Sequence, residues 1–202
     1  YRLKRVYNIS MLLLGSRLLN APVMGLQTGT KLATTKCPVI DPANLKIVAY
    51  EVEGAMLSER PSFLRVADVR ELSNVGMIID GSDEFFGKDD IINIRKILDL
   101  SFHLVGLNVI DESKRKLGKV FDYSVDSDSF FIQQINVKPS VIKSFSQSEL
   151  LVHRSQIVEI NDYSIIVKSA SKKLEPLAKP EKLSYINPFR ATSTEHSTAR
   201  EL

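Results

Sequence analysis

The chain has one cysteine, Cys37, so it forms no internal disulfide and offers no cysteine cluster to a metal. Its three histidines, His103, His153 and His196, are too scattered for zinc-ligand spacing. It has no tryptophan and no long apolar run. The run near the start, Met11 to Leu14, is far shorter than the roughly 20 residues a bilayer requires, so membrane insertion is not expected. Arg2 to Arg5 before that run has the order of a secretory leader. Its apolar part is shorter than the roughly 7–15 residues required, and Arg17 breaks the chain's apolar character soon after. The net charge of +3 is too small to imply nucleic acid by itself. A phosphate-binding glycine loop, a Gly-x-Ser-x-Gly elbow and a calcium-loop spacing are missing as well. Together these absences lead to the expectation of a non-enzymatic protein, without cofactor or metal, in a reducing cytoplasm.

What is present is a repeat. Lys31-Leu32-Ala33-Thr34-Thr35, Ile40-Asp41 and Ile47 to Val52 align without a gap, at an offset of about 85 residues, with Lys116-Leu117-Gly118-Lys119-Val120, Val125-Asp126 and Ile132 to Val137. A length of 202 residues then reads as two copies of one small β module, each near the small end of the domain range. The expected organisation is an N-terminal arm at residues 1–11, module 1 at 12–80, a loop and linker helix at 81–103, module 2 at 104–169 and an irregular tail at 170–202. The sequence opens on Tyr1 and Met11 is an available internal start, so residues 1–10 read as a basic extension or arm.

Within module 1, Pro22 confines Ala21–Met24 to a strand start or edge. Gly29 supplies a positive φ to the turn Gln27–Thr30. Asp41-Pro42-Ala43-Asn44 is a second turn, and Ile47 to Val52 alternates as a strand with one buried face. Phe63–Val66 is a strand, Ala67–Leu72 a short helical turn, Val75–Asp80 a closing strand and Gly81–Gly87 a loop. In Lys88–Leu100 the period changes: Ile91, Ile94, Ile97 and Leu98 recur at helical spacing, with Asp89 or Asp90 as cap. In module 2, Asp111–Lys114 and Asp126–Ser129 match the two turns, and His153–Ile157 matches the helical turn. Ile157–Ile160 and Ser164–Val167 form a hairpin about Asn161-Asp162. Beyond Ser169, Pro176, Pro180 and Pro188 and many Ser and Thr mark a segment that cannot bury enough surface to fold alone.

A strand, a turn, Lys116-Leu117-Gly118-Lys119-Val120-Phe121-Asp122, a strand ending in Val125-Asp126, a turn and an alternating strand resemble a PRC-barrel domain. The first copy departs from the pattern, with Ala33 and Thr34 where Gly118 and Lys119 stand. The resemblance covers roughly residues 12–80 and 104–169. It implies a mainly β chain of two tandem, small, partly open β-barrels joined by one α-helix, serving as interaction modules. Relatives include the cytoplasmic domain of the photosynthetic reaction-centre H subunit and the C-terminal domain of ribosome maturation factors.

Few side chains point to chemistry. Asp41 and Asp126 read as turn formers, and Cys37 reads as a buried apolar filler. Two groups remain as candidate partner-binding residues. Lys114, Arg115, Lys116 and Lys119 cluster on one turn and strand, with Lys138 and Lys143 nearby, as a patch for RNA or an acidic protein or as a solvated β-edge. Tyr185, Ile186, Phe189 and Arg190 place apolar groups in a polar tail as a docking motif. The expected function is an adaptor or scaffold for a protein partner. Association with RNA or the ribosome is the alternative, and an enzyme with an unrecognised site is a second. Tandem modules bury within one chain what a dimer of single modules would bury between two, so a monomer is expected.

Overall fold

Alternation and β-branched content dominate the chain, and the computed structural model answers with strands. It describes residues 11–55, 57–73, 76–139 and 149–169. The tail with Tyr185, Ile186, Phe189 and Arg190, the arm at residues 1–10, and Lys143 lie outside the described residues. In chain order the elements are β1 (Leu12–Leu14), β2 (Pro22–Gly25), β3 (Lys31–Asp41), β4 (Lys46–Glu53), β5 (Ser62–Arg65), β6 (Glu71–Ser73), β7 (Gly76–Ile79) and β8 (Phe85–Gly87). Then come α1 (Ile92–Asp99), β9 (Asn108–Asp111), β10 (Lys116–Asp126), β11 (Ile132–Pro139), β12 (Leu150–His153), β13 (Ile157–Ile160) and β14 (Ser164–Val167).

They form two mixed seven-stranded sheets. The first runs β6-β7-β2-β3-β4-β5-β8. The second runs β12-β11-β10-β9-β14-β13, with β1 paired to β10 as well. Each path has two ends, so neither sheet closes into a barrel among the described residues. Six strands of each sheet correspond in order, and the correspondence reaches single residues. β2 pairs β7 in parallel with Val23 opposite Met77, and β9 pairs β14 in parallel with Val109 opposite Ile165. The β3–β4 ladder is bulged after Thr35 and after Val39, and the β10–β11 ladder after Val120 and after Ser124. Left-handed backbone recurs too: Asn20 with Gly106, Gly29 with Lys114, and Leu45 with Phe130. A bulge and a positive φ are local features set by backbone geometry. Their recurrence at matched positions makes the repeat one of structure as well as sequence.

The two copies meet about a pseudo-two-fold axis. Ile47 N–H donates to the Phe130 carbonyl (3.0 Å) and Ile132 N–H to the Leu45 carbonyl (2.8 Å), around a bridge between Lys46 and Phe131. Such reciprocity is the mark of an isologous contact. The Lys46 ammonium lies 5.2 Å and the Arg154 guanidinium 5.0 Å from the centroid of the Phe131 ring. Inner faces of both sheets contribute to one contiguous core, with Ile47, Tyr50, Leu64 and Met77 from the first and Tyr123, Ile132, Ile135 and Ile165 from the second.

The outer faces differ. On the first sheet they carry Val39, Ala49 and Phe63, and α1 covers them with Ile94. The strand from Ile47 to Val52 is therefore buried on both faces rather than the one its alternation suggests. The matching positions on the second sheet are Ser124, Gln134 and Leu151, which offer a helix little to bury against. The helix is also shorter than Lys88–Leu100. Ile91 is its N-cap residue and makes no side-chain cap bond. Neither aspartate takes that role: Asp90 accepts the Gly87 N–H, and Asp89 pairs with Arg95.

Three further segments depart from their sequence reading. Residues 81–87, read as a loop, contain a 3₁₀ turn (Ser82–Glu84) and β8. The helical turn after β5 is Val66–Asp68, and Glu71 already belongs to β6. β1 pairs with β10, Leu12 opposite Asp126 and Leu14 opposite Ser124, so the first described strand belongs to the second sheet.

The Ala33–Gly118 departure has a steric account. A Cβ at Gly118 would run into the Lys138 carbonyl oxygen, next to the partner residue Pro139. In the first copy the position matching Pro139 is Gly54, where a Cβ would meet the Leu32 carbonyl at 2.6 Å and the Ala33 Cα at 3.3 Å. Each strand pair has one glycine at this crossing, on opposite strands.

Candidate interaction surface

The turn between β9 and β10 is organised by Asp111, only 2% exposed. Its Oδ1 accepts the N–H groups of Ser113 (3.0 Å) and Arg115 (2.9 Å), and its Oδ2 accepts Arg115 Nε (3.0 Å). A second guanidinium nitrogen of Arg115 lies 3.0 Å from the same carboxylate. Arg115 is therefore committed to holding the turn. Lys114, Lys116 and Lys119 are exposed, and none forms an ion pair among the described residues. Lys119 faces Lys138 across the β10–β11 ladder, and Asn108 across β9. Like charges directly opposite one another repel, and neither lysine of this pair has a carboxylate partner among the described residues.

Two partly exposed aromatic side chains lie on this sheet, Phe121 beside the cavity that Cys37 borders and Tyr163 at the turn before β14. Phe121 lies two residues after Lys119 at the β10 bulge and is 40% exposed. Tyr163 precedes β14 and is 80% exposed. Asn108 is opposite both Lys119 and Ser164, and its Nδ2 donates to the Tyr163 carbonyl (3.3 Å), which places Tyr163 beside the lysine row. Asn161 Oδ1 accepts the N–H groups of Tyr163 (3.1 Å) and Ser164 (2.9 Å), fixing the turn that carries the ring. The sequence signal for Tyr163 was the hairpin turn itself. Its neighbour is set by the parallel β9–β14 pairing, which nothing local reveals.

The first copy provides the comparison within the molecule. Where the second has Lys114, Lys116, Lys119 and Lys138, the first has Gly29, Lys31, Thr34 and Glu53. Where the second has Phe121 and Lys138, the first has Lys36 and Glu53, joined in an ion pair of 2.6 Å. The hydrogen bond between them, then their opposite charges, raises the Lys36 pKa and lowers that of Glu53. Of these four lysines only Lys116 has a lysine, Lys31, at the matching position of the first copy.

The other candidates resolve into structural parts. Asp41 accepts the Ala43 N–H and Asp126 those of Asp128 and Ser129, each closing its own turn. His153 caps the 3₁₀ turn Arg154–Gln156: its Nδ1 accepts the Ser155 N–H (3.2 Å), and Gln156 Oε1 accepts the His153 N–H (2.9 Å). Cys37, expected to be buried, is exposed, because it sits in the β3 bulge where the strand turns a side chain away from both packed faces. With His103 it borders a cavity of about 340 Å³ near the pseudo-two-fold axis, and Asp122 lies on the same wall. The carboxylate of Asp122 is occupied by the Ser16 N–H (3.1 Å), the Ser16 hydroxyl (2.7 Å) and the Tyr123 N–H (2.8 Å), so it anchors the N-terminal 3₁₀ turn instead of orienting the imidazole. No group of three or more metal-ligating side chains occurs among the described residues.

No family model matches the chain, and no curated protein is significantly similar to it.

Proposed function

We propose that the chain is a non-enzymatic adaptor built from two PRC-barrel-like modules, which engages its partner through the open outer corner of the second sheet. The single observation behind this reading is the divergence of two otherwise matched outer faces. The first is apolar and covered by α1, while the second is polar and carries at its corner exposed lysines with no ion pair among the described residues. Charge at such a surface steers and selects an oppositely charged partner. The partner on this reading is an acidic protein surface. Association with RNA or the ribosome is the second reading, favoured by the same lysines. The tail motif Tyr185–Arg190 is a further docking element of the proposal. Each sheet as a partly open barrel, the helix as their joint, a monomeric state and a cytoplasmic location belong to it too.

The test is a crosslinked pull-down from source-cell lysate with and without nuclease. The full chain is compared with a Lys116→Glu/Lys119→Glu/Lys138→Glu variant and with Lys31→Glu as the charge control on the first copy. Capture lost in the triple variant and kept in the control is expected. Capture equal in all three overturns the reading. A captured set that disappears on nuclease treatment selects RNA over protein.

A further inference from the structure

The cavity of about 340 Å³ that Cys37 and His103 border has walls that come in matched pairs. Lys36–Pro38 corresponds to Phe121–Tyr123, and Leu19 to Val105. Both bulged strands, and both straps that lead into β2 and β9, therefore border one concavity. The matched positions differ in chemistry. On one side the Asp122 carboxylate ties the strap residue Ser16 through its N–H and its hydroxyl. On the other side Cys37 stands where Asp122 does, and Phe102 where Ser16 does. Neither Cys37 nor His103 makes a hydrogen bond among the described residues. A thiol is a weak hydrogen-bonding group, so no equivalent tie draws the second strap down, and the room remains.

We infer that this cavity binds a small, neutral, planar molecule of about two rings that carries one hydrogen-bond acceptor. Size sets the ring count: an apolar cavity of about 150 Å³ takes benzene, and this one has roughly twice that volume. Ile40, Leu104 and Tyr123 are buried and close it toward the core, while Leu19, Phe121 and Val105 are 40%, 40% and 52% exposed around it. Apolar walls with a few polar groups are the ordinary make-up of a ligand site. Phe102 and Phe121 among those walls favour a flat guest over a branched one. Charge argues for neutrality. The Asp122 carboxylate, already filled by hydrogen bonds, repels an anion, and Lys36 is paired with Glu53. The polar groups left to a guest are the Cys37 thiol and the His103 ring, whose N–H donates. The inference goes beyond the adaptor reading and does not depend on it: a guest seated here touches both copies.

The full chain is titrated with prodan, a neutral naphthalene ketone whose emission rises and shifts to the blue in an apolar site. A saturable, single-site isotherm is expected, with a melting midpoint that rises with probe concentration. Leu19→Trp and Val105→Trp, one from each strap, fill the mouth and are expected to abolish binding. Phe121→Ala is expected to weaken it about tenfold, and His103→Leu about fivefold through the lost donor. Val158→Trp is the control: it is half exposed on β13 and does not border the cavity, so it is expected to bind as the parent does. Melts without probe establish that each variant is folded. Absence of saturable binding to the parent overturns the inference. So does binding that both mouth variants leave unchanged, which places the probe elsewhere, or that His103→Leu leaves unchanged, which denies the acceptor its partner. The adaptor reading survives all three results, since it is decided by capture in the lysine variants.

Discussion

At the crossing of β10 and β11, one missing methyl group decides whether two backbones can touch. Gly118→Ala would drive a Cβ into the Lys138 carbonyl, an overpacking error that costs about 1–3 kcal/mol. The first copy shows the compensation, alanine on one strand and glycine on the other. Pro139→Gly in the Gly118→Ala background is therefore expected to recover part of the loss, as read from urea denaturation midpoints. The two buried tyrosines make the opposite case. The hydroxyls of Tyr50 and Tyr123 have no hydrogen-bond partner among the described residues, and burial pushes both phenol pKa values well up. An unpaired buried hydroxyl costs about 1–3 kcal/mol. Tyr123→Phe or Tyr50→Phe should thus leave stability unchanged or raise it by about 1 kcal/mol. The pH consequence has a definite sign. With folded pKa values above the unfolded value of about 10, the phenols contribute stability that is complete below that pH. It is lost as pH rises toward the folded values. Denaturation series from about pH 9 to 11 should show a fall that is shallower in the phenylalanine variants.

Among elements, α1 and the N-terminal strap distinguish the two copies. Ile94 is the buried anchor of α1 on Val39, Ala49 and Phe63. Ile94→Ala is expected to cost about 2–4 kcal/mol. Its effect should be confined to the first sheet, with hydrogen exchange rising in β3–β5 before β10–β12. The β6–β7 pair has a different lock. The hydrogen bond from Arg70, then its charge, holds the Asp80 carboxyl below the usual range against desolvation. A depressed carboxyl contributes stability above its unfolded pKa, and the contribution disappears as pH falls through the folded value. Asp80→Asn should flatten the acid limb of the stability curve while changing little at neutral pH, because the pair is exposed.

For the whole molecule, the shared core means that neither copy buries its inner face alone. The β1 strand and the Ser16–Asp122 bonds carry the N-terminal segment onto the second sheet, so a cut between the copies would sever pairing as well as packing. Residues 1–103 and 104–202 expressed separately are expected to bind a hydrophobic dye and melt without a cooperative transition. Mixing them is expected to restore both the transition and the near-ultraviolet spectrum. Independent, cooperative melts of the two pieces would show that each inner face finds sufficient burial by itself.

The sequence by itself determined the repeat, its long strands and the chemistry of its turns. Gly29, Asp41, Asp126 and Asn161 act locally, through φ or through backbone hydrogen bonds a few residues away, so their effects are written where they stand. It also determined the β-rich class and the helical period of Ile91–Leu98. Only the tertiary structure decided that the two inner faces are one core and that β1 belongs to the second sheet. It alone brought Tyr163 to Lys119 through a parallel pairing across a long stretch of chain. The physical reason is the range of the forces involved. Turns and periods arise from short-range sterics and hydrogen bonds, whereas the choice of which apolar face covers which, and of what is then left exposed, depends on burial summed over the whole chain.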